Sequence, residues 1–355
     1  MPQASPAFAQ TLLRWDSRKN KRQMPWKGEK DPYRIWLSEI ILQQTRVEQG
    51  WDYYQKFIAA FPDIHSLARA SDVKVFKCWE GLGYYSRCRN LLATARYISG
   101  QLGGRFPDSY EAIRGLKGVG PYTAAAIASF AYNLPHAVVD GNVYRVLARV
   151  FGIETPTDST AGKKVFLALA ADLLDKRKPG RYNQAIMDFG ATICKPQPDC
   201  QSCPFQQTCK AYASGRISRL PVKAKKAAVR KRWFNYLVME QAGRLALHQR
   251  TGKDIWQQLH EFPVIETKGE ESPEAILDLA LKQQWLIRKR YRLRSVSPVF
   301  RQQLSHQLII ARFLEVVISN TATLPEGFDP VEKKKLKRYA FPRVINDWLE
   351  VQQSD

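Results

Sequence analysis

The sequence predicts a mainly α-helical domain followed by an α+β domain, and three observations carry that expectation. Up to about residue 215, apolar residues recur at helical spacing, around Ile58, Leu91 and Ile127 for example. Short Gly- and Pro-containing breaks at Gly81-Leu82-Gly83 and Phe106-Pro107 separate these helices. Between Lys210 and Arg232 the chain carries nine basic residues and no acidic one, with Gly215 and Pro221 interrupting any helix, as in a linker. Beyond Arg232 the texture becomes aromatic and β-branched. A chain of 355 residues is too long for one ordinary core and long enough for two. The expected domains are 1–215 and 232–355, joined by a basic linker at 216–231.

Each element has a local reason. Ser5-Pro6 and Asp31-Pro32 have the form of an N-cap followed by proline at the first helical position. In the second domain, Trp233 to Met239 reads as a strand, Gln241-Ala242-Gly243-Arg244 as a turn and Leu245-Ala246-Leu247 as the returning strand. A helix is expected from Ser272-Pro273, with further strands at Leu286–Leu293 and Gln307–Ile318. Lys333–Lys335, Lys337 and Arg338 form a basic cluster of a kind that is most often a solvated face.

Composition narrows the function. The 55 Lys and Arg residues against 33 Asp and Glu give a formal charge of +22, which points to a polyanion, nucleic acid first, as the partner. No run of ~18 apolar residues is present, so no membrane-spanning helix is expected, and the N-terminus lacks the regions of a secretion signal. A cytoplasmic monomer is the expectation. Of six cysteines, Cys194, Cys200, Cys203 and Cys209 form a C-x5-C-x2-C-x5-C run, while Cys78 and Cys88 stand apart. Such clustering argues against a disulfide framework and for a metal or cluster site in a reducing compartment. Four thiolates at short spacing suit either a [4Fe–4S] cluster or a structural zinc.

Three further motifs carry chemistry. In Leu116-Lys117-Gly118-Val119-Gly120-Pro121-Tyr122, Gly118 and Gly120 permit a tight turn with close backbone approach. The Ala-rich helix that follows presents free N–H groups to a phosphate. Twenty residues after Gly120 comes Asp140, placed to cap a helix that begins near Asn142. Glu39 sits among Ile35, Trp36, Leu37, Ile40, Ile41 and Leu42. A carboxylate in such surroundings is expected to have a raised pKa and to serve as a general acid.

The hairpin and Asp140 together resemble the helix-hairpin-helix superfamily of DNA glycosylases that includes endonuclease III. Within it, the chain is most similar to adenine glycosylases. The similarity lies in Met24-Pro25-Trp26-Lys27, in the Asp31–Thr45 segment, and in Tyr122, where bifunctional glycosylase/lyases carry the lysine that forms a Schiff base. The resemblance implies that Glu39 protonates the adenine ring and Asp140 stabilises the cationic sugar. It implies that Gln44 and Tyr84 insert near the lesion, while Arg22, Tyr122 and Asn142 surround adenine and sugar. It also implies a [4Fe–4S] cluster on the four cysteines, although the usual first spacing is six residues rather than five and the usual loop is more basic. Lys117 stands where the family commonly has proline.

The C-terminal domain resembles the Nudix-like domain that adenine glycosylases add. The likeness is carried by Lys253–Pro263 and by Leu304-Ser305-His306, without the Glu-rich box of Nudix hydrolases. Ser305 and His306 are thereby implied in reading oxidised guanine. The implied partner is double-stranded DNA with adenine opposite 8-oxoguanine or guanine. Two rival readings are a bifunctional endonuclease III-like enzyme and a non-catalytic iron–sulfur DNA-binding protein; the second leaves Glu39 and Asp140 unexplained.

Overall fold

The computed structural model describes residues 6–24, 26–45, 47–224, 229–320, 322 and 324–354. Ser5 and Pro25 of the motifs above, and residues 225–228 of the linker, lie outside the described residues. The chain forms two compact units, one of residues 6–69 and 90–224, the other of residues 70–89 and 229–354.

The first unit is helical throughout. Its central element is the helix Pro179–Thr192, which buries Tyr182, Ala185, Ile186 and Phe189. These pack against Phe8, Leu12 and Trp15 of the helix Pro6–Lys19, and against the apolar face of the helix Gly141–Phe151, formed by Val143, Val146, Leu147 and Val150. Trp15 and Phe205 both meet Phe189 edge-on, at 5.0 and 5.4 Å between ring centroids. Glycine makes the close packing possible: a Cβ at Gly190 would stand 2.8 Å from Asn142 Cβ and 2.9 Å from Asn142 O. The helix Pro32–Leu42 starts as its sequence predicts, with Pro32 at its first position and the Asp31 side chain accepting from Tyr33 N. It packs on the helix Pro121–Tyr132, whose buried Ala124, Ala125, Ala126 and Ala128 let two backbones approach.

The described part of the linker is fastened to this unit. Arg149 Nε donates to Ile217 O and Leu220 O, Thr157 N donates to Val222 O, and Ala224 N donates to Asp158 Oδ1.

The second unit is built on an eight-stranded sheet of β1 (Arg230–Gln241), β2 (Arg244–Gln249), β3 (His260–Glu261), β4 (Val264–Thr267), β5 (Tyr291–Val296), β6 (Phe300–Gln303), β7 (Gln307–Ile318) and β8 (Asp329–Glu332). Its main path runs β3-β2-β1-β7-β5, with β1 and β7 parallel from Arg230↔Gln307 to Glu240↔Val317. The helix Pro273–Lys282, capped by Ser272, lays Ile276, Leu277 and Ala280 on Leu237, Met239, Leu314 and Val316. The strand expected at Leu286–Leu293 begins only at Tyr291. Leu286 is instead a buried turn residue in this core, and Lys289 has φ 64°, outside the extended region. Residues 70–89 belong here through Glu80 Oε1, which accepts from Phe341 N at 2.9 Å and Asn346 Nδ2 at 3.0 Å. Among the described residues no helix is long and apolar enough to cross a membrane.

Gly190→Ala is predicted to force the Asn142 backbone away, at a cost of about 1–3 kcal/mol, as overpacking typically does. Its thermal midpoint should fall well below that of Gly120→Ala, where a Cβ meets nothing within 4 Å. Equal midpoints would remove the close helix contact from the account.

Candidate active site

Glu39, Asp140, Tyr122, Asn142, Arg22 and Gln44 line one cavity of about 740 Å³ within the helical unit. Glu39 is carried there by the Pro32–Leu42 helix and is 9% exposed. Burial pushes its carboxyl up to about 7 from an ordinary 4.5; Tyr122 opposes the shift and the Asp140 charge adds to it. The phenol of the half-buried Tyr122 is raised well above its usual range, first by desolvation and then by Glu39 and Asp140. Its hydroxyl also donates to Met187 Sδ at 3.7 Å.

Asp140 is the N-cap of the helix Gly141–Phe151: Oδ1 accepts from Val143 N at 2.7 Å and Oδ2 from Asn142 Nδ2 at 2.9 Å. Burial raises its pKa, while these hydrogen bonds and the Arg145 charge pull the other way. Capping and a chemical role are therefore compatible in one side chain. The two carboxyls share a cavity, yet only Asp140 has its anionic form supported by backbone and amide donors.

The loop into Asp140 is held by Asn183, a fully buried residue. Its Oδ1 accepts from Val138 N at 3.1 Å, and its Nδ2 donates to His136 O at 2.8 Å and Ser129 Oγ at 2.9 Å. Arg145 links this region to the first cysteine, donating to Cys194 O at 2.7 Å, Gly190 O at 2.7 Å and Asn142 Oδ1 at 2.8 Å. Sequence reasoning missed Asn183, Arg145 and Asp188. Asp188, wholly buried, accepts from both Arg22 Nη1 and Lys27 Nζ at 2.9 Å. The signal that found Glu39, an acid inside an apolar helix, was present again in Ala185-Ile186-Met187-Asp188-Phe189.

The hairpin glycines have different reasons. Gly118 has φ +80° and lies against Asn90, so an L side chain is excluded twice over. Gly120 is extended, with open space where a Cβ would sit, and caps the helix Pro121–Tyr132 without a side-chain hydrogen bond. Its advantage is room for an approaching group rather than a special φ.

Gln44 and Tyr84 both adopt left-handed backbone conformations, φ 58° and 47°, which cost a non-glycine residue energy and cluster at functional positions. Tyr84 lies in the second unit, 45% exposed, with the Arg87 guanidinium over its ring and its hydroxyl hydrogen-bonded to Ser305 Oγ. Ser305 and His306 form the exposed tip of the β6–β7 hairpin, closed by Leu304 N to Gln307 O at 2.8 Å.

The four cysteines, none in a disulfide, line a second, small cavity with Arg149, whose Nη1 stands 3.7 Å from Cys194 Sγ. Among the described residues no three His, Cys, Asp or Glu side chains converge as they would around a single metal ion.

Comparisons with known proteins agree with this architecture. Residues 37–166 match the HhH-GPD superfamily of base excision DNA repair proteins, and residues 235–351 match the NUDIX domain. A thermostable thymine-DNA glycosylase structure superposes with a TM-score of 0.54 at 31% identity, covering 59% of this chain and 96% of that one. An endonuclease III–DNA complex shares the fold, with a TM-score of 0.50 at 18% identity over 59% of this chain and 95% of that one. Fold and matches define a DNA glycosylase enzyme of the helix-hairpin-helix class. An adenine DNA glycosylase of Buchnera aphidicola (subsp. Baizongia pistaciae) is 36% identical over 72% of this chain and 73% of its own length. One from Mus musculus is 43% identical over 61% of this chain and 44% of its own. The chain belongs to the adenine DNA glycosylase family.

Glu39→Gln tests the burial of the carboxyl. Between pH 4.5 and about 7 folded Glu39 keeps a proton that the unfolded chain releases. Its contribution to stability therefore falls as pH rises through that window, by as much as a few kcal/mol above it. The glutamine variant should melt higher than the native protein at pH 8 and close to it at pH 4.5. A native protein more stable than the variant at pH 8 would refute the raised pKa.

Proposed function

We propose that the protein hydrolyses the N-glycosidic bond of adenine paired with 8-oxoguanine or guanine in double-stranded DNA, after the adenine is turned out of the helix into the 740 Å³ cavity. The observation that carries this reading is the pair Glu39 and Asp140 on one cavity, with different support for their charged forms. Glu39, protonated near neutrality, donates its proton to a ring nitrogen of the base. The bond from that base to the sugar C1′ then breaks with its electrons leaving on the base. Anionic Asp140, held by Val143 N and Asn142 Nδ2, stabilises the oxocarbenium-like sugar. Water adds to C1′ and returns a proton to Glu39, the two-carboxylate logic of glycoside hydrolysis. Tyr122 offers no amine at the position where lyases carry their Schiff-base lysine, so hydrolysis without strand scission is the expected reaction.

The remaining site residues fit the handling of DNA. Gly118, Gly120 and the uncapped helix start suit a backbone phosphate, and the strained Gln44 and Tyr84 suit side chains inserted where a base has left the stack. Residues 1–215 are read as the excising domain and 232–355 as the one that reads the opposite base, with Ser305 and His306 at an exposed tip. The chemistry of the cysteine cavity suits a [4Fe–4S] cluster: four free thiols line it. Cys194, Cys200, Cys203 and Cys209 would hold the cluster, whose contribution is to fix the loop that Arg145 ties to Asn142.

Single-turnover assays on duplexes with adenine opposite 8-oxoguanine or guanine test the proposal. Adenine should be released with strand breaks appearing only after alkali, at a rate that falls as pH rises through about 7, the range to which Glu39 is raised. Glu39→Gln should lose ~10²–10⁴ or more of that rate. Replacing Ser305 and His306 together by Ala should shrink the preference for 8-oxoguanine by roughly 1–3 kcal/mol, and the purified protein should carry about four irons per chain. Strand scission without alkali would favour a lyase, and an unchanged preference would assign recognition elsewhere.

A further inference from the structure

Arg149, on the helix Gly141–Phe151, is 4% exposed and spreads its guanidinium over two separate stretches of chain. Nε donates to Leu220 O at 3.1 Å and Ile217 O at 3.2 Å, in the linker. Nη2 donates to Pro196 O at 3.0 Å, and Nη1 to Lys195 O at 2.8 Å and Cys194 Sγ at 3.7 Å, in the first cysteine loop. That loop, one residue short and poor in basic side chains, is thus fastened from inside. None of these acceptors is a carboxylate, and among the described residues Arg149 makes no ion pair. Arg232, the buried arginine of β1, is treated differently: it meets Asp254 and Glu266 at 3.0 and 2.6 Å.

A charge taken out of water is costly unless an opposite charge answers it, and carbonyl dipoles answer only in part. The anion this site can supply is sulfur. Cys194 Sγ is already within reach of the guanidinium, and Cys200, Cys203 and Cys209 line the same cavity as Arg149. Thiols are neutral but bind as thiolates, so the cavity turns anionic when it is loaded. We propose that Arg149 is a positioning residue and the resident counter-cation of the cysteine site. It donates to the Cys194 sulfur, and it makes the hold on the linker at residues 217–220 depend on whether the cysteines carry their cluster. The inference rests on the [4Fe–4S] reading above and adds to it a residue that joins the state of the cluster to the state of the linker.

The test uses the full chain and two readouts, the midpoint potential of the bound cluster and the rate at which trypsin cuts after Arg219. Positive charge and donors at the sulfurs favour the reduced state, which carries one more negative charge. Arg149→Gln should therefore shift the reduction equilibrium by about tenfold toward the oxidised form, ~59 mV for one electron. Arg149→Lys keeps the charge but not the planar fork. Its potential should stay nearer the native value, while both variants should be cut after Arg219 about tenfold faster, as a segment that opens more often is cleaved more often. Native protein stripped of iron by a chelator should be cut faster too, whereas stripping Arg149→Gln should add little, because the coupling residue is already gone. A potential unchanged in Arg149→Gln, or shifted as far in Arg149→Lys, overturns the counter-charge. Equal cutting of loaded and stripped native protein overturns the coupling, and it decides the matter even if Arg149→Gln fails to fold or to hold iron. Native protein that binds no iron at all would instead sink the cluster reading, a result distinct from these.

Discussion

A polar group taken out of water must find its hydrogen bonds inside the protein, and the helix Pro179–Thr192 turns that requirement into a site. Its Asn183 and Asp188 are completely buried. Left unpaired, each would cost on the order of 1–3 kcal/mol or more. Asn183 is satisfied by the loop that leads to Asp140, and Asp188 by side chains from residues 20–27 and by Gln184. Gly190 of the same helix lets the Asp140-capped helix come close, and Arg145 closes that contact through Gly190 O. Much of the cavity wall is thus set by partners that one helix demands.

Within that wall, difference matters more than proximity. Glu39 enters on an apolar helix and has little to support its anion, whereas Asp140 caps a helix and is given donors. The cavity therefore holds two carboxyls whose charged forms are unequally supported. Holding Glu39 there works against stability at neutral pH, a cost consistent with placement for chemistry rather than for folding. The left-handed backbones at Gln44 and Tyr84 add local costs of their own.

The second unit, which matches the NUDIX domain, answers its clustered acids with arginines. Where acidic residues gather, at Asp254, Glu261 and Glu266, their charges are met by arginines. Arg232 pairs with Asp254 and Glu266, and Arg250 with Asp254 and Glu261, at 2.6–3.0 Å. Arg232 also lies over the Phe234 ring at 4.7 Å. This network ties β1, β4 and the 250–261 segment together, and leaves the β6–β7 tip with Ser305 and His306 exposed.

Much of this was legible in the sequence because its causes are local. Helical periodicity, the Asp31-Pro32 start, the Ser272 cap and the long β7 run depend on residues a few positions apart, and each appears where the sequence puts it. Glu39 was legible for the same reason, since its apolar neighbours lie on its own helix. The strand that starts at Tyr291 rather than Leu286 was not, because Leu286 is claimed by a core assembled from β1, β7 and the helix Pro273–Lys282. Nor were the roles of Asn183, Arg145 and Asp188, each of which has partners 45 to 168 positions away in the chain. The sequence by itself determined which elements form and which carboxylate is buried, because propensity and hydrophobic burial act over short stretches. Tertiary structure alone decided what satisfies Asn183 and Asp188, because hydrogen bonds have direction and most of their partners arrive from distant parts of the chain.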